Sequence, residues 1–214
     1  MKITTQKYTT QNSAWPQRGR HILACFDDST IVVYQAYRPS IGQFAVEHGR
    51  FGGPDFSLSR MSWIKPNFHW MMYRCGWGLK EGQEIVLGLR ISRQFFDSVL
   101  AEAVPSTFDA EAFSSRDAWQ VAVAKSNVRL QWDPDHAPDG AKQERKAIQL
   151  GLRGEVLQRF ASSELLEVID MTAFVAAQRQ NAIPAKYPQL EMPAESVYEP
   201  SLPSIRRNIR LDTF

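Results

Sequence analysis

The stretch from Val128 to Arg153, "VRLQWDPDHAPDGAKQERKAIQLGLR", decides what kind of fold to expect. In "VRLQWD" (128–133) the apolar Val128, Leu130 and Trp132 alternate with Arg129, Gln131 and Asp133, the period of a strand with one buried face. "KAIQLGLR" (146–153) repeats the pattern, with Ile148, Leu150 and Leu152 on one side and Gln149 and Arg153 on the other. The segment between, "PDHAPDGAKQER", is polar and rich in the Asp, Pro and Gly of turns. Two neighbouring strands of this kind present one polar face made of Arg129, Gln131, Asp133 and Gln149.

Upstream, "TIVVYQAY" (Thr30–Tyr37) is β-branched and aromatic between the turn "DDS" and Pro39, and reads as a central strand. "PSIGQFAVEHG" follows as a short helix, with Pro39 in its first turn and Gly49 as its stop. "FSLSRMSW" (56–63) starts with strand alternation and then loses phase, "EIVLGLRI" (84–91) is a strand, and Ser92 caps a helix through "SRQFFDSVLAEAV". A further helix is expected within 110–125, and another from Ser163 through Leu165, Val168, Ile169, Thr172 and Val175 to about Gln180. Strands and helices mix without a regular alternating rhythm, which predicts an α+β fold with a largely antiparallel central sheet flanked by helices.

The chain's 214 residues suit one domain, and 43% hydrophobic with 22% charged residues is a globular composition. Residues 1–17 read as an N-terminal extension and 18–183 as the α+β domain. Residues 184–214 read as an extended wrapping segment ending in the basic tail "SIRRNIRLDTF"; five of the 12 prolines lie between Pro184 and Pro203. Cys25 and Cys75 show no C-x-x-C spacing, and neither a secretory leader nor an apolar run of about 20 residues is visible. A cytoplasmic protein with free thiols and no membrane span is expected; nothing sets its oligomeric state.

Net charge is only +2, but it is unevenly placed. Between Ser29 and Lys80 six bases (Arg38, Arg50, Arg60, Lys65, Arg74, Lys80) face two acids (Glu47, Asp55), leaving +4, whereas the rest carries 19 bases and 21 acids. Within this quarter lies "RMSWIKPNFHWMMYRCGW" (60–77), with Trp63, Trp70 and Trp77 at seven-residue steps and no acid. Pro66 and Gly76 bound a helix over about 66–75, so only Trp70 lies safely inside it. Phe68, Met71 or Met72, and Cys75 form its natural core side, and Asn67, Trp70 and Arg74 line another. Aromatic packing with snorkelling bases would account for the pattern. Yet a guanidinium such as Arg74, taken from water without a carboxylate, costs several kcal/mol and calls for a distant acid or an anionic ligand. Arg60 and Lys65 pose the same question, and indole or phenol faces beside them suit a base or nicotinamide ring next to its phosphates.

Other motifs carry less. Asp133, Asp135, His136 and Asp139 crowd together in "WDPDHAPDG", but such residues are mostly turn chemistry, and no metal is expected. Cys75 has only His69 nearby as a partner for nucleophilic work, and "GLRGEVL" matches no phosphate-loop pattern.

"VYQAYRPSIGQFAVEHGRFGG", "RMSWIKPNFHWMMYRCGW", "VRLQWDPDH" and "IQLGLRG" together resemble the bacterial and fungal family known as domain of unknown function 4291, over about Arg18 to Asp170. That resemblance implies a one-domain protein and brings no activity. More distantly, the strand, short helix, glycine-marked loop and serine-bearing strand of 31–62 are similar to the front half of ADP-ribosyltransferase folds, which split NAD and transfer ADP-ribose. Those enzymes place an Arg or His on the first strand and a Glu late in the sheet. Here the first strand offers Tyr34 and Gln35 with Arg38 just after it, and the late acid stays open between Asp133 and Glu155. The resemblance implies an NAD- or nucleotide-binding enzyme, with Asp133, Glu155 and Gln149 as candidate catalytic groups. Tyr34, Gln35, Arg38, Arg60, Ser62, Lys65, Trp70, Tyr73, Arg74 and Gln131 are its candidate binding groups. A single-stranded nucleic-acid module using the same groove, or a structural protein that binds a partner, are the other two expectations.

Overall fold

In the computed structural model, which describes residues 3–213, strand β1 (Thr5–Lys7) and helix α1 (Tyr8–Ala14) precede β2 (Gly19–Arg20), β3 (Leu23–Phe26) and β4 (Thr30–Tyr37). Helix α2 (Pro39–His48) leads to β5 (Ser62–Ile64), α3 (Phe68–Cys75), β6 (Ile85–Ser92) and α4 (Arg93–Glu102). Then come β7 (Ala103–Pro105), α5 (Arg116–Lys125), β8 (Val128–His136) and β9 (Lys142–Leu152). The remainder holds α6 (Gly154–Ala161), β10 (Leu165–Asp170), α7 (Thr172–Arg179), β11 (Glu191–Pro193), β12 (Ser196–Val197) and α8 (Pro203–Ile209). The first two residues of the expected extension and the last of the tail lie outside the described residues.

The fold is α+β. One sheet runs β10-β6-β4-β3-β12 and is antiparallel throughout. The second runs β2-β9-β8-β7, with β5 also paired to β9; its β8–β9 and β5–β9 pairs are antiparallel, and β2–β9 and β7–β8 parallel. Strands β1 and β11 form a separate pair. The larger core holds Ile31 and Val33 of β4 and Leu87 and Leu89 of β6 together with Leu130, Ile148 and Leu150 of the second sheet, closed by Phe96 and Phe160. On the other face of β4, Val32 and Tyr34 pack with Phe68, Met71 and Met72 of α3 and Val175 of α7. Burial on both faces explains why "TIVVYQAY" reads as a continuous apolar run instead of alternating.

The expected helix over 163–180 is instead strand β10 followed by the shorter α7. A bulge between Leu165 and Glu167 shifts the pairing of β10 with β6, so Leu165 and Val168, an odd number apart, both reach the larger core. That three-residue step imitates helical spacing. "FSLSRMSW" forms a strand only from Ser62, and the helix expected within 110–125 begins at Arg116. Helix α6 was unforeseen: Gly154, at φ 54°, turns the chain out of β9 and straight into it. The C-terminal segment is not merely extended, and its basic tail folds into α8, whose Ile205 and Ile209 are buried in the core.

Both ends of the chain meet on one side of the molecule. Trp15 Nε1 donates to the Glu195 carbonyl at 3.0 Å, and the Glu195 amide donates to Gln11 Oε1 at 2.6 Å. Nearby, Arg145 and Asp135 form a fully buried ion pair at 2.7 Å, with Arg145 also donating to the Pro16 carbonyl and lying 5.2 Å over the Trp15 ring. The Glu195 carboxyl group caps α3, accepting from the Phe68 amide at 2.7 Å and from Asn67 Nδ2 at 3.3 Å. Burial holds its pKa well above the usual carboxylate range.

Candidate functional site

Helix α3 is where the aromatic and basic stretch becomes a surface. Asn67 caps it, Oδ1 accepting from the Trp70 amide at 2.6 Å, and Gly76 ends it at φ 56°. Trp77 lies past that end, buried, with Nε1 donating to the Pro138 carbonyl at 3.0 Å. The three tryptophans thus share no face. Phe68, Met71, Met72 and Cys75 enter the second core, and Trp70 and Arg74 turn toward the sheets.

Lys65 sits at the seam between the sheets. Strand β5 pairs with β9 up to Ile64–Leu150, but Lys65 itself bridges to β4: the Tyr34 amide donates to its carbonyl at 2.7 Å and its amide to the Tyr34 carbonyl at 3.2 Å. The β5–β9 register ends at Ile64–Leu150, and across β8–β9 Gln149 is paired with Gln131. Residues opposite one another in antiparallel strands point to the same face, so Gln149 and Gln131 form a polar row, and Lys65 shares their cavity wall. Ile148, Leu150 and Leu152 belong to the core behind them.

A cavity of about 540 Å³ opens over this row. Gln35, Arg38, Arg60, Ser62, Lys65, Trp70, Arg74, Gln131, Asp133 and Gln149, expected separately from the sequence, all line it. Three other expected residues do not. Tyr34 is fully buried on the opposite face of β4, Tyr73 is stacked on His136 at 3.5 Å, and Glu155 is exposed in the first turn of α6, where Gly154 has carried it away from β9. Of the two late acids, only Asp133 is in the cavity. Arg129, expected on the same polar face, reaches instead for the Val123 and Ser126 carbonyls at the end of α5.

The Asp133 carboxylate is held at both oxygens, by Gln131 Nε2 at 2.8 Å and Gln149 Nε2 at 2.7 Å. Gln35 Nε2 donates to Ser62 Oγ at 2.7 Å and to the Trp63 carbonyl at 3.1 Å, and Tyr37 Oη shares Ser62 Oγ at 2.7 Å. Among the described residues, Gln35 Oε1 and Trp70 Nε1 are buried without a protein hydrogen-bond partner.

Four basic side chains line the cavity against two carboxylates, Asp55 and Asp133. Among the described residues none of Arg38, Arg60, Lys65 and Arg74 has a carboxylate within ion-pair distance. Arg38, Arg60 and Arg74 are exposed, so water solvates them, whereas Lys65 is 6% exposed and its Nζ donates to the Trp63 carbonyl at 3.1 Å. Burial, reinforced by the charge of Arg74 and opposed by Cys75 and Asp133, brings the Lys65 pKa down to about 7.

Trp63, Tyr37 and Met71 line the cavity although none of them was a site candidate from the sequence. Trp63 shares the strand face of Lys65, and alternation along β5 was the signal that could have found it. Gly151 makes room for it, since a Cβ there would lie 2.5 Å from Met61 Sδ and 3.1 Å from Trp63 Cε2. Asp133, Asp135, His136 and Asp139 do not converge, and among the described residues no three His, Cys, Asp or Glu side chains gather as metal ligands. Cys25 and Cys75 are buried free thiols, and no helix of the described residues is long and apolar enough to cross a membrane.

Comparison with known proteins adds one assignment. The model of the family described as Domain of unknown function (DUF4291) matches residues 21–198, most of the chain, and the protein belongs to that family. No curated protein matches it.

Proposed function

We propose that this DUF4291 protein is a nucleotide-binding enzyme that holds NAD or a related dinucleotide in the seam cavity and acts on it as an ADP-ribosyltransferase-like transferase. The observation that carries the proposal is a carboxylate, Asp133, held at both oxygens by glutamine amides in a cavity whose arginines, among the described residues, lack carboxylate partners. Arg38, Arg60 and Arg74 supply charge and paired N–H donors for a pyrophosphate. The half-open 540 Å³ space is of the size small-molecule sites have. Trp70 offers an indole edge for a base or nicotinamide ring.

Cleaving a ribosyl–nicotinamide bond develops positive charge at the anomeric carbon. A carboxylate already oriented by two amides stabilises that charge without reorganising when it appears. Gln131 and Gln149 would then be positioning residues for Asp133. Lys65, expected to bind phosphate, suits that role least, because burial makes its ammonium form costly.

Calorimetric titration with NAD, ADP-ribose and a short RNA tests the proposal. Saturable binding of NAD or ADP-ribose that weakens in Arg60→Gln and Arg74→Gln is expected. Absence of NAD and ADP-ribose binding at millimolar ligand overturns it, and salt-sensitive RNA binding alone would favour a single-strand-binding module.

A further inference from the structure

We infer that Lys65 is a nucleophilic amine that captures the carbonyl group of an anionic aldehyde or ketone, of the kind an open-chain sugar phosphate presents, as an imine. The inference deepens the nucleotide proposal, from which it takes only the anion-binding arginines.

Geometry supports it first. Lys65 is fixed by two backbone hydrogen bonds to Tyr34 at the meeting of the sheets, so its side chain starts from a rigid place in the cavity wall. Its only protein hydrogen bond among the described residues is to the Trp63 carbonyl at 3.1 Å, and that acceptor is available to an amine as to an ammonium. The charged and titratable groups facing it are Arg74 and Cys75 from α3, Asp133 from β8, and Arg38, Asp55 and Arg60 around the cavity mouth. None of them forms an ion pair with it. With a pKa of about 7, roughly half of Lys65 is unprotonated at neutral pH. An ordinary lysine near 10.4 has only about one amine in 2,500, a difference on the order of a thousandfold.

The chemistry balances within the cavity. The nitrogen lone pair forms the C–N bond while the carbonyl π pair moves to oxygen, and one nitrogen proton passes to that oxygen to give a carbinolamine. Asp133 takes the second nitrogen proton and delivers it to the hydroxyl as the C–O bond breaks. Amine and carbonyl have become imine and water, with Asp133 regenerated. Gln149 donates to Asp133 at 2.7 Å, and Asp133 lines the same cavity as Lys65, near enough for its charge to act on the amine. The arginines then hold the substrate's anionic group, which is why an anionic carbonyl compound is favoured over a neutral one.

The test uses the full chain with cyanoborohydride at neutral pH, comparing glyceraldehyde 3-phosphate, glyceraldehyde and ADP-ribose, followed by peptide mass mapping of the unmutated protein. The expected result is a reduced adduct on Lys65 exceeding that on the exposed Lys80 and Lys142 by roughly tenfold or more, following the difference in amine fraction. The phosphorylated aldehyde should outcompete glyceraldehyde, and Arg60→Gln should weaken that preference. Adducts on surface lysines with none on Lys65 overturn the inference, and so does labelling of Lys65 that ignores the phosphate. Capture of glyceraldehyde 3-phosphate by a protein that binds no NAD or ADP-ribose would uphold this inference and end the dinucleotide proposal. NAD binding without any Lys65 adduct would do the reverse.

Discussion

Replacing Lys65 by Met should stabilise the protein at neutral pH, by an amount that shrinks as pH rises. Methionine keeps the length and most of the packing of the lysine stem but has no ammonium to bury. The unfolded chain binds a proton at this position below about 10.5, and the folded protein only below about 7. Between those limits the unfolded state holds more protons, so the stability of the wild-type protein rises with pH through that window. At about 1.4 kcal/mol per pH unit, the penalty for the buried charge is about 5 kcal/mol well below pH 7 and about 4 kcal/mol at pH 7. It falls to about 2 kcal/mol at pH 9 and vanishes above about 10.5. Urea denaturation of both proteins at pH 7 and pH 9 measures the gap directly. Lys65→Met should be the more stable at pH 7, and its advantage should fall by about 2 kcal/mol at pH 9, or about 4–8 °C in Tm for a domain of this size. An advantage that does not change with pH, or no advantage at pH 7, would show that Lys65 is solvated or paired in solution and would refute the reasoning.

Two other perturbations probe the frame around the cavity. Gly151→Ala would press a methyl group on Met61 and the Trp63 ring and should cost about 1–2 kcal/mol in urea denaturation, together with weaker ligand binding; an unchanged midpoint would mean that the cavity wall yields freely. Glu195→Gln tests the opposite sign of proton linkage. Glu195 holds its proton above the usual carboxylate range, so the wild-type protein loses stability as pH rises past that range and the variant does not. The stability difference between them should therefore move toward Gln from pH 4 to pH 8, and a difference independent of pH would contradict a protonated Glu195.

How much of this was legible in the sequence depended on whether the signal was local. The β8–β9 pair announced itself through clean alternation, and its register alone brings Gln131 opposite Gln149 with Asp133 beside them. Ser92 marks the start of α4 because a side chain that caps a helix does so within three residues, whereas Asn67, read as part of the face of α3, is its cap and the helix begins at Phe68, not Pro66. Strand β10 was hidden by its bulge, which gave a strand the spacing of a helix. Glu155 was a candidate catalytic acid because the resemblance implies a Glu late in the sheet; Gly154, at positive φ, sends the chain into α6 and carries Glu155 away from the sheet. Glu195, buried beneath α3, carried no local signal at all. It lies in a proline-rich stretch that reads as an extended wrapping segment, and its partners are more than a hundred residues away.

That last separation bears on how the molecule comes into being. Glu195 caps the helix that carries Trp70 and Arg74, 127 residues upstream of it at Phe68, and its own backbone is gripped by Gln11 and Trp15, 184 and 180 residues away. Contacts of such range form only after the long intervening loops have closed, and chains governed by them fold slowly. The cavity wall is thus among the late events of folding. A molecule with both sheets formed but its two ends not yet joined would still leave α3 without its acidic cap, so competence to bind should appear after most of the sheet structure does. Refolding followed by ligand binding and by circular dichroism is expected to show competence to bind lagging behind the sheet signal.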